Sequence, residues 1–195
     1  GVQRVLFRSI ETTEVLKKAA FQALAVAGKM AIITVEGMNV YVSYFNEGTK
    51  FYTIQGGHGG YVSLNPDYTD GSAIKLTNSA EPSDNRGIWA FVKTGSYYQV
   101  YNYSTGLSKV LGITGDEANA RTSMVDPKST THSTKFAGTF NLGSTNPSYI
   151  KINGTTKWWN KRGDYLALWN TGSVTGDQGS KFFIKEVDFT QYPDE

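Results

Sequence analysis

Three short apolar runs near the C-terminal end form the clearest hydrophobic pattern in the chain. They are Trp158-Trp159, residues 165–169 (YLALW) and residues 182–184 (FFI), with Gly, Asp, Asn and Ser between them. Short runs that are rich in aromatic residues and bounded by turn residues are typical of β-strands. Side chains alternate along a strand, so Leu166 and Leu168 should face one side of the middle run and Trp169 the other.

The same arrangement recurs twice upstream and divides most of the chain into three units of four predicted strands. The predicted strands are residues 51–54, 61–64, 73–78 and 88–92 in the first unit, 97–100, 109–111, 121–126 and 136–140 in the second, and 149–152, 157–160, 165–170 and 182–185 in the third. Trp89, Phe136 and Phe182 open the fourth strands and lie 47 and 46 residues apart. A nearly constant period of this kind indicates an internal structural repeat.

Three units of four strands fit a β-trefoil, in which six strands form a barrel and three hairpins form its cap. A propeller blade has a similar period, but propellers close with about four to eight blades. Residues that recur in register fill equivalent interior positions, so Trp89, Phe136 and Phe182 are expected in the core. The predicted fold is an all-β trefoil over residues 50–195.

The segment before the repeat, residues 1–49, has a different pattern. Apolar residues at helical spacing predict a helix over residues 13–27, and residues 31–35 and 40–45 are strand-like. We interpret this segment as a helix and connector, or as the remainder of a preceding domain. The chain does not begin with Met, and residues 5–9 (VLFRS) match one reading frame of a common sequencing adapter. We therefore expect a truncated start, with any signal peptide and upstream domain missing.

The amino-acid composition excludes several kinds of partner and chemistry. The formal net charge is +2 and the basic residues form no cluster, so nucleic acid is not an expected partner. The chain has no cysteine, which excludes disulfides, thiolate metal sites and a cysteine nucleophile. No run of about 18 apolar residues occurs, so no membrane insertion is expected.

The chain shows no catalytic constellation, so we predict no enzyme activity and no cofactor. His58 and His132 are 74 residues apart, and no zinc-protease, nucleophile-elbow or nucleotide-binding motif occurs. The glycines around His58 lack the lysine and helix of a phosphate site and are expected at a hairpin tip. Two acidic pairs could bind calcium or could be turn residues: Asp67 with Asp70, and Asp116 with Glu117. Turn residues are favoured, because neither pair has the ligand number or spacing of a known calcium loop.

The three units resemble the ricin-type β-trefoil lectin domains, chiefly those on secreted, multi-domain polysaccharide-processing proteins of gut bacteria. Over residues 50–188, each unit opens with an aromatic-rich strand (FYTI, YYQV and YIKI) and closes with a strand whose pattern is completed only in the third unit, as Ser-Lys-Phe-x-Ile. The Gln-x-Trp motif of that family is absent, and the chain has Ile88-Trp89-Ala90, Lys135-Phe136-Ala137 and Lys181-Phe182-Phe183 there instead. The resemblance implies a carbohydrate-binding module without assigning its sugar ligands.

Candidate sugar ligands therefore follow from the residues themselves. A pyranose presents an apolar C–H face that stacks on an aromatic ring, and hydroxyls that pair with amides and carboxylates. Trp169 aligns with Thr77 and should face outward, with Asn170 after it and Asp164 before it. Trp158 aligns with Tyr61 and should be more exposed than Trp159.

Two alternatives stay open for these residues. Trp169 could instead lie over the outer barrel surface or under the N-terminal segment. Asn78, Asp126 and Asn170 close the third strands, 48 and 44 residues apart, and are either turn residues or three symmetric sugar ligands. A weaker candidate site comprises His58 and Tyr61 in the first unit.

The sequence thus supports two hypotheses of different classes. The first is a lectin-like module that binds a glycan or polysaccharide and targets a larger secreted or surface protein, to which it is covalently joined. The second is a structural or protein-interaction trefoil without sugar binding.

Overall fold

A computed structural model describes residues 30–35, 38–43, 45, 48–64, 71, 73–77, 82 and 85–188. The chain divides into two compact units, one of Gly1–Thr49 with Pro193–Glu195 and one of Lys50–Tyr192. In the first unit, strands β1 (Met30–Val35) and β2 (Met38–Ser43) form an antiparallel hairpin. The helix predicted over residues 13–27 lies outside the described residues.

The described part of the second unit contains twelve strands, and each overlaps one of the twelve predicted from the repeat. They are β3 (Tyr52–Gly56), β4 (Tyr61–Ser63), β5 (Lys75–Thr77), β6 (Trp89–Thr94), β7 (Tyr97–Asn102), β8 (Val110–Thr114), β9 (Arg121–Val125), β10 (Phe136–Thr139), β11 (Tyr149–Ile152), β12 (Lys157–Arg162), β13 (Tyr165–Asn170) and β14 (Phe182–Glu186). Short 3-10 turns occur at Asn85–Gly87, Gly106–Ser108 and Gln178–Ser180. Among the residues described, no helix has the length and apolar character needed to cross a membrane.

Pairing between units joins most of these strands into one sheet rather than three separate four-stranded sheets. Ten strands follow the order β14-β3-β4-β5-β13-β12-β11-β10-β7-β6, while β8 and β9 form their own hairpin. The sheet closes on itself because β3 also pairs with β6, through Tyr52 and Trp89. A further bridge links Ser148, just before β11, to Phe182 at the start of β14. The first and fourth strands of the units are thereby joined in a ring.

Aromatic side chains fill the interior of this ring. Trp89, Phe136 and Phe182 are all fully buried, which confirms their predicted place in the core. Trp159 lies between two of them, with its ring centroid 5.2 Å from that of Phe136 and 5.7 Å from that of Phe182, in edge-to-face geometry. The indole N–H of Trp89 donates a hydrogen bond of 2.8 Å to the Val62 carbonyl, so burial does not leave this polar group unpaired.

The remaining three hairpins meet at one end of the barrel through a cycle of hydrogen bonds. The Leu166 N–H donates to the Ile74 carbonyl (3.1 Å), and the Ile74 N–H donates to the Thr122 carbonyl (2.9 Å). The Thr122 hydroxyl closes the cycle by donating to the Leu166 carbonyl (2.7 Å). Ile74, Thr122 and Leu166 hold equivalent positions in the three units. The cycle therefore marks a pseudo-threefold axis, as a trefoil requires.

Candidate functional site

The hairpin of β12 and β13 separates inward and outward side chains by strand register. Trp159 pairs with Leu168 and both side chains are fully buried, which agrees with the predicted alternation. The opposite side, called the outer hairpin face here, is formed by three cross-strand pairs. They are Trp158 with Trp169, Asn160 with Ala167, and Arg162 with Tyr165. A two-residue turn joins the strands, and Gly163 adopts the left-handed conformation (φ 59°) that such turns favour.

Trp158 is half-buried and its ring is held from several sides. Its indole N–H donates a hydrogen bond of 3.0 Å to the Thr171 carbonyl. Lys151, its partner on β11, places its Nζ 5.1 Å from the ring centroid. Any other residue at position 138 would place its Cβ 3.3 Å from the Trp158 ring, so Gly138 leaves room for the indole. A ring fixed in this way loses little conformational freedom when a ligand stacks on it.

Trp169 lies directly opposite Trp158 and is also half-buried. Its indole N–H makes no hydrogen bond with any described residue. Asn170 follows it and is exposed; its side-chain oxygen accepts a hydrogen bond of 2.7 Å from the Thr156 hydroxyl. The Asn170 N–H donates to a carboxylate oxygen of Glu117 at 3.4 Å. The structure thus brings Trp158, Trp169 and Asn170 together at one end of the hairpin.

A polar cluster lies next to the tryptophan pair. The Asn160 amide donates hydrogen bonds to Asp177 Oδ2 (2.9 Å) and to the Ser180 hydroxyl (3.0 Å), and Ser180 donates to the same carboxylate oxygen (2.8 Å). Asn160 follows Trp158 by two residues on the outer hairpin face, which places it about 7 Å further along the strand. Sequence reasoning missed this cluster, although the outward register of Asn160 was available to indicate its first member.

Asp164 occupies a different place from the one that its neighbours in sequence suggested. It is exposed in the turn between β12 and β13, and its carbonyl accepts a hydrogen bond from Leu76 N–H (2.8 Å). Trp169 is five strand residues away, at about 16 Å. The structure therefore does not place the Asp164 carboxylate beside Trp169 or Asn170.

The first-unit candidates lie on the separate hairpin of β3 and β4. His58 is exposed in its loop, which is anchored by a 2.6 Å hydrogen bond from the Gln178 amide to the Gly57 carbonyl. Tyr61 is half-buried and pairs with Thr77, the position equivalent to Trp158 and Trp169 in the third unit. A threonine thus stands where the third unit has its second indole, so this hairpin offers a smaller aromatic surface.

The acidic side chains considered as calcium ligands have local partners. Asp116 Oδ1 accepts hydrogen bonds of 3.2 Å from the N–H groups of Ala118 and Asn119, and Glu117 pairs with Arg162. Asp126, considered as a turn residue or a sugar ligand, accepts a hydrogen bond of 2.8 Å from Lys128 N–H. The contacts of Asp116 and Asp126 are those of turn residues. Asp67, Asp70 and Asn78 lie outside the described residues. Within the described ranges, no group of three or more acidic or histidine side chains is arranged to hold a metal ion.

Comparison with known proteins identifies the fold. No protein-family model matches the chain, and no curated protein sequence matches it. The ricin B-like lectin of Macrolepiota procera in complex with lactose superposes with a TM-score of 0.53 at 18% identity, over 70% of this chain and 95% of that one. The apo β-trefoil BEL superposes with a TM-score of 0.52 at 10% identity, over 71% and 93%.

One of the similar structures is an enzyme. The Clostridium perfringens endo-β-galactosidase that releases GlcNAcα1-4Gal has a TM-score of 0.55 at 11% identity, and the match covers 77% of this chain but 36% of the enzyme. At these identities the likeness establishes a shared fold and nothing about ligands. The chain has a β-trefoil fold of the kind found in ricin B-like lectins.

Proposed function

We propose that the chain is a non-catalytic carbohydrate-binding module whose site is the tryptophan end of the outer hairpin face. The observation that carries this proposal is the cross-strand pair of Trp158 and Trp169 beside the cluster of Asn160, Asp177 and Ser180. It combines an aromatic surface with amide and carboxylate groups, which are the two kinds of group that recognise a pyranose.

The two parts of this site have separate tasks. The indoles cover the apolar face of a sugar ring, and the free indole N–H of Trp169 donates to a ring or hydroxyl oxygen. Asp177 keeps further lone pairs after accepting from Asn160 and Ser180, so it accepts hydrogen bonds from sugar hydroxyls. Asn170 supplies a second amide at the other side of Trp169. A shallow site of this kind binds weakly, and repeated sites in a larger assembly compensate through avidity.

We further propose that the module belongs to a larger secreted or cell-surface bacterial protein, to which it is covalently joined and which it directs to glycans. The endo-β-galactosidase supports this context, since the matched region forms only 36% of that chain. Sequencing upstream of the locus tests the idea. We expect the upstream sequence to encode a signal peptide and a further domain in the same reading frame. An in-frame stop codon followed by a start codon immediately upstream of Gly1 would contradict this proposal.

Intrinsic fluorescence provides a direct test of sugar binding. Trp89 and Trp159 are fully buried and supply a constant background, whereas Trp158 and Trp169 are half-buried and report on a ligand. Titration with lactose and a panel of oligosaccharides should change the emission with at least one of them.

Matched variants separate binding from folding. Trp169→Ala should lose the response with an unchanged circular dichroism spectrum, and Trp169→Phe should keep part of it because a ring remains. No response from the wild-type protein to any oligosaccharide would favour the structural or protein-interaction module instead.

A further inference from the structure

A cavity lies between the turn of β8 and β9 and the outer hairpin face, where Arg162 and Tyr165 flank the hairpin turn. Its volume is about 300 Å³. The side chains that matter for recognition are Glu117, Asn119, Arg121, Arg162 and Tyr165. Tyr165, with its large aromatic ring, is 43% exposed. Single exposed apolar residues are normal on protein surfaces, so Tyr165 matters here because it lines the same cavity as the polar side chains named above.

One acidic and one basic side chain of this cavity neutralise each other. Arg162 Nη1 lies 3.1 Å from Glu117 Oε1 and also reaches the Leu168 carbonyl at 3.5 Å. The second oxygen of Glu117 accepts the Asn170 N–H at 3.4 Å. Glu117 is thus fixed at one wall by two contacts. Its charge is compensated, so it does not repel an anion strongly.

Arg121 supplies the uncompensated charge of the cavity. It is exposed, its side chain makes no hydrogen bond or ion pair with the described residues, and its guanidinium keeps five N–H donors for a ligand. Asp116, which precedes Glu117, accepts three hydrogen bonds within its own turn, and Asp164 is exposed in the hairpin turn. Arginine pairs with carboxylates through two parallel hydrogen bonds, which favours a planar acid group as the ligand.

Tyr165 provides the surface for the rest of such a ligand. Lys75, its partner on β5, holds Nζ 5.4 Å from the ring centroid. Lys75 does not line the cavity, so it orders the ring while the surface toward the cavity stays open. Asn119, whose amide nitrogen donates to Asp116 Oδ1 at 3.4 Å, offers its amide oxygen to hydroxyl groups. Aromatic ring, amide and unpaired guanidinium are therefore grouped in a space at the lower end of the range for ligand pockets, which suits a single sugar ring.

We propose that this cavity is a second binding site, specific for a sugar residue that carries a carboxylate, such as a uronic acid. The carboxylate pairs with Arg121, the apolar ring face lies on Tyr165, and the hydroxyls bond to Asn119. The site shares no side chain with the tryptophan end of the outer hairpin face. With this second site, the module binds acidic sugars as well as neutral ones.

Amide chemical shifts of the ¹⁵N-labelled full chain provide the test, with two matched probes. Methyl β-D-glucuronide and methyl β-D-glucoside differ only in the carboxylate. The glucuronide should shift the amides of residues 117–122 and of Tyr165, while the glucoside shifts them at least about tenfold less effectively. Added salt should weaken the glucuronide response, because part of the attraction is between charges.

Four variants complete the design. Arg121→Gln should weaken glucuronide binding about tenfold, whereas Lys128→Gln, which removes an equal charge from an exposed loop, should leave it unchanged. Tyr165→Ala should weaken it roughly three- to tenfold, and Tyr165→Phe should retain it because the ring remains.

The outcomes separate this site from the proposed function. Shifts confined to residues 117–122 and Tyr165 support the second site even if no glycan affects the tryptophan fluorescence. Equal responses to both probes, no response in this region, or the same shifts with sodium sulfate at matched ionic strength would each overturn it. Retained binding in Arg121→Gln would also overturn it.

Discussion

The hydrogen-bond cycle at the pseudo-threefold axis makes Thr122 a sensitive position. Thr122 is fully buried, and its hydroxyl donates to the Leu166 carbonyl over 2.7 Å. Replacing it with valine keeps the size and branching of the side chain but removes the donor. The Thr122 carbonyl still accepts from Ile74 N–H, so the change isolates one hydrogen bond of the cycle.

The expected cost follows from leaving a buried acceptor without this partner. Such a loss destabilises a protein by about 1–3 kcal/mol. For a domain of this size each kcal/mol lowers Tm by about 3 °C, so Thr122→Val should unfold roughly 3–9 °C below the wild-type protein. Thr114, exposed on the neighbouring strand β8, offers the same chemical change without a buried partner. Thr114→Val should alter stability by less than about 0.5 kcal/mol.

Urea denaturation followed by near-ultraviolet circular dichroism measures both variants under identical conditions. An unchanged slope with a lower midpoint for Thr122→Val would locate the effect in the folded state. If Thr122→Val and Thr114→Val were equally stable, the hydroxyl would not close the cycle, and the assignment of this axis would be wrong.

Two further predictions concern packing and pH. Gly57→Ala should destabilise the protein by about 1–3 kcal/mol, because the added Cβ would come 2.3 Å from the Gln178 carbonyl oxygen. Thermal unfolding measures this change, and unchanged stability would contradict the close contact. Burial raises the pKa of Tyr52 and Tyr101 above 10.0, with smaller contributions from Glu186 and from neighbouring tyrosines. The unfolded chain then ionises first, so the contribution of these two tyrosines to stability is fully present below pH 10 and is lost as the pH rises above it. A rise in unfolding free energy between pH 10 and 11 would contradict this.

Strand periodicity predicted the orientation of the aromatic residues well. Local strand geometry explains the alternation in residues 165–169, and the recurrence of interior positions explains the repeat of Trp89, Phe136 and Phe182. Neither feature needs tertiary information. Strand ends were less predictable. The strand predicted over residues 109–111 stops before Gly112, yet β8 runs Val110–Thr114, because residues 112–114 continue the pairing with β9. Glycine is required inside this strand, since a Cβ at position 112 would lie 2.6 Å from the Val125 side chain.

The composition of the candidate site was predictable only in part. The period of two indicates that Trp158 and Trp169 share a face, and the structure places them directly opposite each other. Asp164 precedes Trp169 by five residues, but an extended strand separates them by about 16 Å, a distance that proximity in sequence does not reveal. Conversely, Asp177 lies 17 residues from Asn160, and only the folded chain brings the two into contact.

Carbohydrate binding at the tryptophan end can be tested with a glycan array of the full chain, with wild-type protein beside Trp169→Ala. The wild-type protein should bind at least one glycan class, and Trp169→Ala should lose neutral glycans while retaining its Tm. Binding of the same neutral glycans by both proteins would contradict the proposed site and direct attention to His58 and Tyr61. Silence of the wild-type protein across the array would contradict carbohydrate binding itself.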